Sequence, residues 1–119
     1  MTKDSAYGSA RGFRVHSYAR EDGTVVECHG KLTAENAPLL KSEVREMIPN
    51  HRRIILDLKE VPLMDSSGLG TIVGLYVSAR TCRCAFELMN ANQQIRELFG
   101  ISNLLSLFEP AGRHGGRMV

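Results

Sequence analysis

The sequence predicts an α/β fold, a mixed β-sheet opened by an antiparallel hairpin and flanked by helices. Three observations predict it. Two short alternating segments separated by Glu21-Asp22-Gly23 read as a hairpin, because alternation presents one apolar face per strand and the turn residues reverse the chain. Beyond them, helical and strand periodicity alternate, and strands that alternate with helices pair in parallel through right-handed crossovers. In the middle, Arg53 to Arg80 reads RIILDLKEVPLMDSSGLGTIVGLYVSAR, and its apolar period changes from strand to helix across Met64-Asp65-Ser66-Ser67-Gly68.

The elements follow in order. Met1 to Gly12 is small and polar and reads as a flexible tail, residues 1–12. Phe13 to Ala19 alternates as an edge or half-buried strand, and Thr24 to His29 supplies its hairpin partner. From Ala34 the pattern turns helical, with Ala37, Leu40, Val44, Met47 and Ile48 on one stripe and Lys41, Glu43, Arg45 and Glu46 toward water. Pro38 is compatible only with the first turn, so the helix begins at Ala34 to Ala37 and stops before Pro49-Asn50.

Ile54, Ile55, Leu56 and Leu58 are too few for a helix and β-branched enough for a strand buried on both faces. Leu69, Ile72, Val73 and Tyr76 continue as the next helix. Arg83 to Met89 reads as a strand with Cys84, Phe86 and Leu88 on one face. Asn90 or Asn92 can cap a third helix whose stripe is Ile95, Leu98 and Phe99, ending at Gly100. Leu104 to Phe108 reads as a last short strand or extended segment. The expected domain is 13–109, followed by a glycine- and arginine-rich tail, 110–119.

Length and composition bound the function. The 119 residues make one domain with a single core, and 43% apolar with 24% charged residues excludes a disordered chain. A net charge of +2 with no basic, aromatic-studded stripe argues against nucleic acid. No apolar run approaches the ~20 residues that span a bilayer, and the amino terminus lacks the apolar centre of a secretory signal, so no direct membrane insertion and a cytoplasmic location are expected. Three cysteines, Cys28, Cys82 and Cys84, agree with a reducing compartment, since an odd number makes a poor disulfide framework.

Candidate chemistry centres on Asp65-Ser66-Ser67-Gly68. Ser and Asp accept the orphan amide hydrogens of a helix start, and a phosphoryl group on Ser66 or Ser67 would sit at the positive end of the helix dipole. It would bring nearly two negative charges beside Asp65. An ordinary cap needs no modification, but Gly68, Gly70 and Gly74 each cost about 1 kcal/mol against alanine in a helix. Their clustering suggests close approach by another backbone or a partner.

Enzymatic readings fare worse. His16, His29, His51 and His114 are scattered over strands, a loop and a tail, and Gly-x-Ser-x-Gly is absent, so no serine nucleophile has a partner base. Cys82 and Cys84 on one strand face, joined by Cys28 and His29, could form a metal site, but zinc spacings are missing and buried packing is the simpler role. No phosphate-cradling Gly-x-x-x-x-Gly-Lys is present.

Leu56-Asp57-Leu58, Val61 and Met64-Asp65-Ser66-Ser67-Gly68-Leu69-Gly70 together resemble the signature of STAS domains, the family of sulphate-transporter cytoplasmic domains and bacterial anti-sigma factor antagonists. The resemblance runs from Val25 to Phe108 and is strongest to the stand-alone antagonists. It implies the STAS (SpoIIAA-like) fold, no enzymatic activity and no cofactor of its own, with ATP bound by the partner kinase. In such antagonists the serine directly after the motif aspartate is phosphorylated by an anti-sigma factor that is itself a serine kinase. That position here is Ser66, with Ser67 the second choice.

The unmodified antagonist binds the anti-sigma factor and frees a sigma factor. Phosphorylation breaks the complex, and a serine phosphatase restores it. The implied partner surface is Met64, Asp65, Ser66, Ser67, Gly68 and Leu69 with the corner after the second strand. There the chain departs from its relatives: Gly30-Lys31-Leu32-Thr33 stands where many read Gly-Glu-Leu-Asp, so Lys31 and Thr33 change the charge of that corner. Gly100-Ile101-Ser102-Asn103-Leu104 also departs from the Thr-Gly-Leu common after the third helix. Two other roles compatible with the same residues are a STAS scaffold or accessory subunit, in which Ser66 is only a cap, and a sensor holding a nucleotide or anion at the helix start.

Overall fold

The computed structural model describes residues 7–10 and 12–101. Five strands form one sheet in the order β1-β2-β3-β4-β5: β1 (Tyr7–Ala10), β2 (Phe13–Arg20), β3 (Gly23–His29), β4 (Arg53–Glu60) and β5 (Ala85–Met89). The first two pairings are antiparallel and the last two parallel. This is the expected mixed sheet, with one correction at its edge. Tyr7–Ala10, placed in the amino-terminal tail by sequence, pairs with β2 from Tyr7↔His16 to Ala10↔Phe13. Gly-Ser-Ala offers no apolar alternation to reveal a strand, and the chain reverses at Gly12, whose φ of +77° suits glycine.

The hairpin between β2 and β3 closes with Arg20 opposite Gly23, and Arg20 holds Asp22 by two 2.8 Å bonds. Helix α1 (Ala37–Met47) has Pro38 in its first turn, as required, and a 3-10 turn at Ile48–Asn50 absorbs Pro49. Helix α2 (Ser66–Thr81) links β4 to β5, and α3 (Gln93–Ile101) follows. Crossovers of one hand that advance in one direction put their helices on one face of a sheet, and a single core results. It joins Val15, Val26, Leu56 and Phe86 from the sheet to Leu40 and Val44 of α1, Ile72 and Leu75 of α2, and Ile95 and Phe99 of α3.

β4 is buried on both faces, as its sequence demands. Ile54, Leu56 and Leu58 enter the helix-side core, while Ile55 pairs with Val25 on the far face, where both are buried. Also on that face the Asp57 carboxylate accepts from the Lys59 amide and from Asn90 Nδ2, each at 3.0 Å. Asn90 adopts φ +63°, a conformation asparagine tolerates.

The strand expected over Arg83 to Met89 begins only at Ala85, after Arg83 turns at φ +59°. Consequently Cys82 and Cys84 do not share a strand face: Cys84 is buried and Cys82 exposed. The expected strand at Leu104 to Phe108 and the tail from Pro110 lie outside the described residues. Among the described residues no helix is long and apolar enough to cross a membrane.

Candidate functional site

β4 delivers the chain to the carboxyl edge of the parallel strands, the edge at which α/β sheets place their binding sites. Val61 to Asp65 crosses that edge, and Ser66 opens α2. The period switch seen in the sequence is therefore a loop-to-helix junction, and Asp65 caps it. Asp65 is extended (φ −109°, ψ −173°), and its Oδ1 accepts from the amides of Ser67 at 2.9 Å and Gly68 at 3.0 Å. Its Oδ2 accepts from the amide of Ala34 at 3.2 Å. One carboxylate thus ties the helix start to the corner between β3 and α1.

The corner is tied a second time, through backbone. Leu32 donates to the Leu63 carbonyl at 2.9 Å and accepts from the Asp65 amide at 3.2 Å, making a single parallel bridge opposite Met64. In an extended pair the side chains alternate, so Leu32 and Met64 point inward and their neighbours outward. Leu32 is fully buried and Met64 is 1% exposed, whereas Lys31 and Leu63 are exposed and Thr33 and Asp65 half-buried. The corner keeps its own shape through Asn36, whose buried side chain accepts from the Thr33 amide at 3.0 Å.

The residues expected at the partner surface divide by exposure. Ser66 and Ser67 are exposed, and Lys31, Thr33 and Asp65 join them on one rim. Met64, Gly68 and Leu69 lie beneath it: Leu69 is only 8% exposed, and a β-carbon on Gly68 would stand 2.6 Å from the Leu32 carbonyl oxygen and 2.8 Å from Met64 Cγ. The three shape the rim from below. Among the described residues, Gly68 alone of the helix's three glycines meets another part of the chain, since β-carbons on Gly70 and Gly74 would touch none of them within 4 Å.

Sequence reasoning missed three contributors. Leu63, 40% exposed, is the apolar member of the rim, and the inward side chain is its neighbour Met64. Gln94 of α3 exchanges two bonds with the Met64 peptide: the Met64 amide donates to Oε1 at 3.1 Å, and Nε2 donates to the Met64 carbonyl at 3.2 Å. Asn92, expected as a cap, does accept from the Ile95 amide at 2.9 Å, but its Nδ2 also donates to the carbonyls of Val61 at 3.3 Å and Pro62 at 3.2 Å. A glutamine on a helix surface carries no sequence signal for such a contact.

His16 and His29 face Glu27 on the far side of the sheet, and His51, whose Nδ1 donates to the Met47 carbonyl at 2.7 Å, precedes β4 while Ser66 follows it. A strand advances about 3.3 Å per residue, so the length of β4 separates His51 from the serine. Burial, followed by the charges of Asp57 and Glu27, pushes the Cys28 thiol far up, and burial also raises Cys84, so neither is a ready thiolate. Among the described residues no three His, Cys, Asp or Glu side chains are grouped to hold a metal.

Known proteins share this fold and parts of this sequence. The anti-sigma-B factor antagonist of Listeria monocytogenes is 35% identical over 82 residues, 67% of this chain and 71% of that protein. The anti-sigma-B factor antagonist of Bacillus subtilis is 25% identical over 96 residues, 81% of this chain and 88% of that protein. An anti-sigma factor antagonist from Mycobacterium paratuberculosis shares the fold with a TM-score of 0.74 at 18% identity, covering 81% of this chain and 82% of that one. SpoIIAA in its unphosphorylated form does so with a TM-score of 0.68 at 20% identity, covering 86% and 96%. Other sequence relatives, such as that of Bordetella bronchiseptica, also carry the name of anti-sigma factor antagonist. With the STAS domain model matching residues 15–115, the chain belongs to the STAS domain family.

Proposed function

We propose that this chain is an anti-sigma factor antagonist, switched by phosphorylation of Ser66. The observation that carries the reading is the setting of that serine. It is exposed at the first position of α2, directly after a capping aspartate, on a rim that also presents Leu63 and Lys31. The names of the antagonists similar in sequence support the partner, and SpoIIAA, similar in fold, exists in unphosphorylated and phosphorylated forms.

The unmodified rim binds the anti-sigma factor and so releases a sigma factor in the cytoplasm. That anti-sigma factor is also the serine kinase and binds the ATP; the antagonist needs no cofactor. A phosphate on Ser66 adds close to two negative charges at the middle of the contact, where an uncompensated charge that loses its water costs several kcal/mol. It also competes with Asp65 for the amides of the same helix end, loosening the carboxylate's hold on Ala34. A serine phosphatase returns the chain to its binding state.

Capture from lysate of the native cells tests the reading. The wild-type chain and Ser66→Ala should retain an anti-sigma factor identified by mass spectrometry, and Ser66→Asp should lose it. Equal retention by Ser66→Asp would leave Ser66 an ordinary first-turn residue behind the Asp65 cap, in a scaffold or accessory subunit.

A further inference from the structure

In extended backbone, the amide and carbonyl of one residue point to the same side, and those of its neighbours to the other. Leu63 carbonyl and Asp65 amide bond Leu32 on one side, and both Met64 groups bond Gln94 on the opposite side. The segment before the serine is therefore a strand one residue long with both edges filled, one by backbone and one by a side-chain amide acting as a peptide. Asn92, capping the same helix, fastens the preceding carbonyls of Val61 and Pro62.

We propose that Gln94 is the positioning residue for the phosphoacceptor, acting through the Met64 peptide to hold Ser66 in the conformation the kinase accepts. The role rests on the reading of Ser66 as that acceptor. Without Gln94, the Met64 groups turn to water and the loop samples other conformations. A substrate competent for only a fraction of the time binds with an apparent constant raised by the inverse of that fraction, while the rate at saturation is unchanged.

Two measurements on the full chain, wild type and Gln94→Met, test this. Amide hydrogen exchange reads the clamp itself: the Met64 amide should exchange about tenfold faster in the variant, the worth of one or two net hydrogen bonds, with β4 amides unchanged. Phosphate transfer to Ser66 from ATP in clarified extract of the native cells, followed across acceptor concentration, reads the role. The variant should show an apparent KM raised by the inverse of the fraction of molecules whose loop stays in place, with an unchanged maximal rate.

An unchanged Met64 exchange overturns the clamp. Faster exchange with an unchanged KM overturns the positioning role and leaves the phosphorylation reading standing. No phosphate on wild-type Ser66 overturns both. Should Gln94→Met not fold, Gln94→Glu serves in its place, since it keeps the acceptor for the Met64 amide but sets an oxygen against the Met64 carbonyl.

Discussion

The Asp65 carboxylate and the Ala34 amide, 31 positions apart, meet at 3.2 Å, while the other oxygen of the same carboxylate caps α2. The two functions can be separated by mutation. Asp65→Ala removes both and should cost about 0.5–2 kcal/mol, the range for a lost helix cap. Asp65→Asn keeps one oxygen for the helix and puts an NH2 group against Ala34. It should cost less than Asp65→Ala in thermal or urea unfolding, yet speed exchange of the Ala34 amide.

The three glycines of α2 should respond in opposite directions. Gly70→Ala and Gly74→Ala put a methyl into open space and should each stabilise the chain by up to about 1 kcal/mol. Gly68→Ala drives a methyl against the Leu32 carbonyl and should destabilise it by about 1–3 kcal/mol. Urea midpoints of the three variants check the ordering. If Gly70 or Gly74 is kept for a partner's close approach, the stabilised variants should also bind the anti-sigma factor more weakly.

Thiol titration should divide the cysteines. Cys82 is exposed, whereas Cys28 and Cys84 are buried with their thiols raised in pKa, so both stay protonated as pH rises toward the ordinary thiol range. Native protein should show one fast-reacting thiol with an aromatic disulfide reagent at pH 8, and two more only in denaturant.

Ser66→Asp should leave the fold intact. An acidic side chain in the first turn of a helix interacts favourably with its dipole, typically by 0.3–1 kcal/mol, and Ser66 is exposed. Repulsion from Asp65 opposes that gain. The melting temperature should therefore shift by no more than a few degrees, so that any loss of partner binding reflects charge at the rim and not unfolding.

Much of this was legible in the chain. Alternation around Phe13 and Val15, the β-branched run at Ile54, and the Asp-Ser-Ser-Gly junction each follow from local periodicity and capping chemistry, and each stands where expected. Tyr7–Ala10 was not legible, because pairing with β2 and not its own pattern makes it a strand. Nor was the inside-out order of Leu63 and Met64: both are apolar, and only the bridge to Leu32 decides which one turns inward. Gln94 is the extreme case, since its role depends on a backbone 30 positions away.

The most direct test is intact mass with fragment mapping of the chain purified from its native cells, before and after phosphatase treatment. The predicted result is a fraction carrying a single phosphate, mapped to Ser66 and removed by the phosphatase. An unmodified mass under every growth condition, together with no transfer to Ser66 from any native anti-sigma kinase, would contradict the switch.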